Sequence, residues 1–440
     1  MPRLCLDNPS QILDRLARIK WGYMKIAVIG AGIVGVTTAY ELARDGHEVN
    51  VIERRNAVAE EASFANAGVI APGYVTPWAA PGMPAKVFWH LLSRYAPVRI
   101  GLPLSVRELI WMWRWYRACR LDTYLTHRSH LQSLAFYSRD RLHHITADLK
   151  LAYERSDGYM VLLRSQRDHQ MVQPGLQLLR DLGVAFKELS PVEARLVETA
   201  LNPDTDFFGA VHLPSDEVGN CRQFALMLKS ESQRMGVAYS FNTTVTTLEC
   251  HTGISLHFEG GQTGHHYDAV VVCAGLDSAP LLKPLGIKIP LAAVHGYSIS
   301  ANIREPLNAP VSAIMDERYK VAISRLGQRV RVAGSAELGG QHDRKRPSSL
   351  QTLYKVLHDW FPGAANLATG VQEWKGARPM LADGPPLVGA SGLPGLWLNL
   401  GHGSSGWALS CGSARVVADL IDGKSPDIDP SHFDAKRLRA

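Results

Sequence analysis

Residues 25–54 read KIAVIGAGIVGVTTAYELARDGHEVNVIER, and this run decides the fold. The apolar stretch Ile26, Ala27, Val28, Ile29 predicts a strand. Gly30, Gly32 and Gly35 then supply G-x-G-x-x-G, with Ala31 between the first two. Ile33, Val34, Val36, Ala39, Leu42 and Ala43 give the next segment the buried stripe of a helix. Gly46 and His47 turn the chain, and Val49 to Ile52 form a second strand ending at Glu53. Gly30 makes the tight turn, Gly32 admits a pyrophosphate to the backbone, and Gly35 lets helix and strand pack. The helix N-terminus then faces the phosphates. Glu53 is placed to accept from a ribose hydroxyl. The expected nucleotide contacts therefore run from Ile26 through the first helical turns, including Thr37, Thr38 and Tyr40, and resume at Glu53 and Arg54. The plain alternative is an α/β unit with an idle glycine turn.

Three distant segments enlarge the site. ASFANAGVIAPGY (62–74) holds small residues without helical period, so its backbone can lie against a flat ring; Ser63, Asn66, Ala67 and Gly68 are its expected contacts. YDAVVVCAGLDSAPLL (267–282) is a strand closing on Ala274 and Gly275. LWLNLGHGSSGWALSCGSARVVADLI (396–421) is a strand, a turn and a helix, with Gly401, His402, Gly403, Ser404 and Gly406 at the turn. Val245 completes the set. A ligand served by three such segments is longer than a mononucleotide, which favours FAD over NAD. No cysteine lies between Cys273 and Cys411 and no histidine lies in ASFANAG, so the flavin is expected to be held non-covalently. His402 is expected as a side chain in a loop whose backbone carries the function, rather than as a general base.

The chain has 440 residues, 46% hydrophobic and 20% charged, enough for two domains of ordinary globular composition. No apolar run approaches a membrane span. Six cysteines form no C-x-x-C pair, so a reduced intracellular protein without structural zinc, and no metal site, is expected. Residues 1–23 lack an apolar core and are expected to be an extension or a misassigned start. The net charge of +6 is local: from Lys86 to Arg120 there are seven Lys or Arg against Glu108 alone. Five of the ten tryptophans (Trp78, Trp89, Trp111, Trp113, Trp115) lie in or beside this segment. Tryptophan with arginine suits a membrane interface. A cap helix pair with a solvated basic face is the other reading. Nucleic acid is not expected, because no recognised binding pattern accompanies the charge.

The first βαβ unit, SFANAG, GYVTPWAAPGMP, LPSDEVGNC (213–221), HGYSIS, DERYKVAISR (316–325), GARPM with DGPPLVG, and NLGHGSSGW together resemble the FAD-dependent D-amino acid dehydrogenase small-subunit family. That family belongs to the glycine oxidase and D-amino acid oxidase superfamily, and the resemblance runs from about Met24 beyond residue 420. It implies oxidative deamination of a D-amino acid, typically D-alanine, to the 2-oxo acid and ammonia. Electrons would pass to a respiratory acceptor such as a quinone, at the cytoplasmic face of the plasma membrane. It also implies that Arg378 binds the substrate carboxylate, with Tyr319 as the assisting hydroxyl and Tyr297 in reserve. Leu381-Ala382 and His295 depart from the family pattern near this pocket, so D-proline-like or hydroxyproline-like imino acids, glycine and sarcosine stay open as substrates. A non-catalytic or nucleic-acid-associated flavin module is the remote alternative. The expected fold class is α/β, a Rossmann-like FAD-binding domain (24–78, 212–285, 376–440) interleaved with an antiparallel-sheet and helix substrate or cap domain (79–211, 286–375).

Overall fold

The computed structural model describes residues 22–91, 95–261, 263–341 and 343–439. Most of the expected extension, residues 1–21, lies outside them, as does Arg94.

Two sheets organise the chain. The first has six strands, in the order Leu387–Ala390, Leu396–Leu400, Ala269–Val272, Lys25–Ile29, Glu48–Ile52, Ala238–Ser240. All neighbours are parallel except the first pair. Its central strands are apolar on both faces because both are covered. Helices Ile33–Arg44, Cys221–Arg234 and Gly406–Ile421 pack on one side. The three-stranded meander Val245–Cys250, Ile254–Phe258, Thr263–Tyr267 covers the other. This is the nucleotide-binding half.

The second sheet has ten strands and is mostly antiparallel. Its main path runs Gln372–Leu381, Leu291–Asn302, Arg329–Gly339, Val321–Leu326, Ala313–Asp316, Arg155–Leu163, Gly209–Gly219, Val69–Ile70. Helix Pro347–Trp360 backs it through Leu353, Val356 and Trp360. The chain passes between the two sheets several times.

Four segments fall differently from the sequence boundaries, among them strand Val69–Ile70, which lies in the second sheet although within 24–78. Strand Gly209–Gly219 spans residue 212 and lies wholly in the second sheet, as do residues 376–381. Helix Leu121–Asp148, read as part of the cap, packs on the nucleotide half. Its Leu131, Leu134, Ala135, Leu142 and Ile145 join that core, and its Arg141 makes two bonds to buried Glu41, at 2.6 and 2.7 Å. Its place in the chain put this helix with the cap; only the packed partner shows which core it joins.

The basic aromatic segment divides by face. Helix Val106–Ala118 starts with a capping box between Ser105 and Glu108. It buries Trp111, whose Nε1–H donates to the Met380 carbonyl at 2.9 Å. Val106, Leu109, Ile110, Trp113 and Tyr116 form an exposed stripe, each more than half exposed. Among the described residues no helix is long and apolar enough to cross a membrane.

Candidate active site

A continuous cavity of about 1450 Å³ lies between the two sheets. It is bounded by Gly30, Gly32 and Glu53 on the nucleotide side, and by Gly376, Arg378 and Trp374 from the second sheet.

The glycine turn is built as its spacing predicts. Gly30 has φ +102°, and a Cβ there would stand 2.7 Å from the Cys273 carbonyl oxygen. A Cβ on Gly35 would stand 1.8 Å from the Gly30 oxygen, so helix and strand pack only through glycine. Gly32 caps helix Ile33–Arg44, and Ile33 and Val34 line the cavity. Ser63 ties the small-residue segment to that helix start, accepting from the Ile33 N–H at 3.1 Å. Glu53 lines the cavity and is oriented by the N–H groups of Ala31 at 2.6 Å and Arg55 at 2.8 Å. Arg54 pairs with Glu61 and Asp277 on the cavity wall.

Asn66, Ala67, Gly68, Val245, Ala274 and Gly275 also line the cavity, and so do Gly401, His402, Gly403, Ser404 and Gly406. His402 is fully shielded; burial pushes its imidazole down to about 3, and Nε2 lies 2.9 Å from Ser413 Oγ. It is neutral and already engaged with Ser413, and helix Gly406–Ile421 starts beside it. Ile29 reaches the wall, but Ile26, Ala27 and Val28 are core. Ala31, Gly35, Val36, Thr37, Thr38, Ala39 and Tyr40 lie behind the wall as well. Thr38 instead accepts a bond from Asn399 at 2.9 Å, joining helix to sheet. Contiguity in sequence had grouped these residues with the turn; alternation of faces separates them.

Arg378 projects from strand Gln372–Leu381 into the cavity. Its Nη1 donates to the Ser335 carbonyl at 3.0 Å, and it forms no ion pair among the described residues. The guanidinium lies against Gly296, where a Cβ would stand 2.2 Å from Nη2, so a side chain there would displace the guanidinium from this position. Burial pushes Arg378 down to about 10, which leaves it cationic at neutral pH. Nε and Nη2 keep the parallel donor edge that matches a carboxylate.

The tyrosines are arranged otherwise than the sequence suggests. Tyr297 lines the cavity, but its hydroxyl is given to Glu337, which also holds Arg346 at 2.7 Å. Tyr319 does not join Arg378. It stands in the turn before strand Val321–Leu326, with its ring between Arg164 at 4.9 Å and Lys355 at 5.3 Å. Same-face alternation does not carry through a turn in which Lys320 takes φ +50°. Three other tyrosines, Tyr74, Tyr124 and Tyr159, line the cavity. The Tyr74 hydroxyl donates to Glu317 and accepts from Lys320 Nζ at 2.9 Å. The Tyr159 ring meets Tyr74 edge-on at 5.8 Å, and its buried hydroxyl has no partner among the described residues. Tyr74 sits within GYVTPW, a stretch that already marked the resemblance; Tyr159, in an ordinary strand, carried no signal.

The residues present fit FAD. The cavity exceeds the ~300–1,000 Å³ of an ordinary small-molecule pocket. It brings together a glycine-capped helix start for phosphate, an oriented carboxylate for ribose, and a wall of small residues suited to a flat ring.

The comparisons agree. A D-amino acid dehydrogenase from Cereibacter sphaeroides is 41% identical over 419 residues, covering 95% of this chain and 96% of that protein. The glycine oxidases of Bacillus cereus and Geobacillus kaustophilus share the fold. Each has a TM-score of 0.71, with 19% and 21% identity, over 94% of this chain and 98% and 99% of theirs. The model of the FAD dependent oxidoreductase family matches residues 25–420. With the glycine turn, Glu53 and the shared cavity in place, the chain belongs to the FAD dependent oxidoreductase family.

Proposed function

We propose that the protein is a D-amino acid dehydrogenase that binds its substrate through Arg378. The observation that carries the reading is a cavity arginine with no acid partner among the described residues, in a chain 41% identical to a protein of that activity. Arg378 binds the α-carboxylate through two parallel bonds and so orients Cα as well as attracting the anion. FAD, when bound, supplies the two-electron acceptor. The imino acid so formed hydrolyses to the 2-oxo acid and ammonia. His402, neutral and bonded to Ser413, is not the base; the amine must reach the cavity unprotonated or lose its proton to solvent. The test is anaerobic bleaching of the bound flavin by a panel of D- and L-amino acids, glycine, sarcosine and D-proline. Reduction by D-alanine and related D-isomers supports the reading, and reduction by L-isomers, glycine or sarcosine alone would sink it.

The acceptor is proposed to be a quinone, reached by docking on the cytoplasmic face of the plasma membrane. Support comes from helix Val106–Ala118, whose exposed Val106, Leu109, Ile110, Trp113 and Tyr116 stand beside exposed Arg107, Arg114 and Arg117. Apolar rings at headgroup depth with cations alongside match an anionic lipid surface.

A further inference from the structure

Arg331 is a buried cation with no ion pair among the described residues; it is 6% exposed, and nearby Glu154 pairs with Arg329 instead. It lies on strand Arg329–Gly339 directly between Ser300 and Ser324 of the two neighbouring strands. Arg331 Nε donates to Ser300 Oγ at 2.9 Å, and Nη1 donates to the Asn66 carbonyl at 3.2 Å. Ser324 Oγ donates to the Ala67 carbonyl at 2.7 Å, and the Gly219 N–H donates to the Gly68 carbonyl at 2.8 Å. Three consecutive carbonyls, 66 to 68, are thereby turned onto the second sheet. In a trans peptide the N–H points opposite to the carbonyl it adjoins. The Ala67 N–H therefore points away from Arg331. It has no partner among the described residues, and Ala67 lines the cavity.

We infer that Arg331 is a positioning residue for FAD: it fixes the Asn66–Ala67 peptide so that the Ala67 N–H is held out as a donor to the cofactor. The charge matters because a buried guanidinium makes a stronger bond to a carbonyl than a neutral donor would. Its fork matters because Ser300 anchors one edge while the other grips the loop. Burial brings Arg331 down to about 10, so it remains charged at neutral pH. The inference rests on the cofactor alone, and failure of the D-amino acid reading would leave it standing.

The experiment is FAD titration of apoprotein for wild type, Arg331→Met and Arg331→Lys. It records the dissociation constant, the bound flavin's visible spectrum, and melting temperatures with and without FAD. Arg331→Met is expected to weaken FAD by about tenfold to a hundredfold, the worth of one charge-assisted bond. Its flavin bands should shift, and the melting gain on FAD binding should shrink. Arg331→Lys keeps the charge but not the fork, and should fall between Met and wild type. A purely structural arginine would lower both melting temperatures equally and leave spectrum and affinity alone; that result overturns the inference. If the Met variant does not fold, the Lys variant decides, and wild-type affinity and spectrum there overturn it too.

Discussion

Replacing Arg378 tests the site most directly, because the structure separates its cost to binding from its cost to folding. In the free protein Arg378 donates one bond, to the Ser335 carbonyl, and burial already disfavours its charge. Arg378→Ala therefore gives up one charge-assisted bond to a carbonyl, worth about 1.5–3 kcal/mol, while relieving the desolvation cost of a buried cation, and the two offset each other in unfolding stability. Substrate binding loses a charge-assisted pair instead, worth about 1.5–3 kcal/mol, or roughly tenfold to more than a hundredfold in kcat/KM. The loss should fall equally on any amino acid the enzyme accepts, since every one carries the same carboxylate. Small carboxylate inhibitors should weaken in parallel. Arg378→Lys should recover part of the loss, because an ammonium restores charge without the planar fork. The assay is dye-coupled turnover beside the visible flavin spectrum and thermal unfolding. Wild-type kcat/KM in Arg378→Ala, with the flavin spectrum intact, would refute the assignment. So would a large drop in melting temperature that fully accounts for lost activity.

The lipid-facing reading predicts that Glu at Arg107, Arg114 and Arg117 releases the protein from anionic vesicles, at about 1 kcal/mol per cation, while dye-linked turnover persists. Wild-type binding should weaken as salt rises, and undiminished sedimentation of the triple variant would favour a solvated cap helix. A third prediction concerns Asp216, which is 2% exposed and has one oxygen without a partner among the described residues. Burial raises its carboxyl to about 7, so the native state keeps a proton that the unfolded chain has already lost. Stability from this group is therefore present near pH 4 and declines as pH rises to about 7. Asp216→Asn should match wild type near pH 4 and exceed it at pH 8, by at most about 4 kcal/mol. Parallel melting curves across that range would show that the carboxyl is not perturbed.

The nucleotide half was legible because its determinants are local. Gly30, Gly32, Gly35 and Glu53 act within one βαβ unit, where spacing alone fixes which atoms meet. The place of Arg378 on the cavity wall was anticipated through the resemblance that GARPM with DGPPLVG carries. What lay beyond the sequence was the choice among chemically equal residues far apart in the chain. Nothing local distinguishes Tyr319 from Tyr74, yet a turn sends one ring to Arg164 and the sheet sets the other on the cavity wall. Helix Leu121–Asp148 was grouped with the cap by its position in the chain, yet it packs on the nucleotide half, and Trp111 points inward while Trp113, two residues on, points out. Arg331 reads as an ordinary strand arginine until register puts it between Ser300 and Ser324, behind Asn66. Local chemistry can be written into a short string of residues. Contacts between residues 31 to 265 positions apart exist only once the chain has folded.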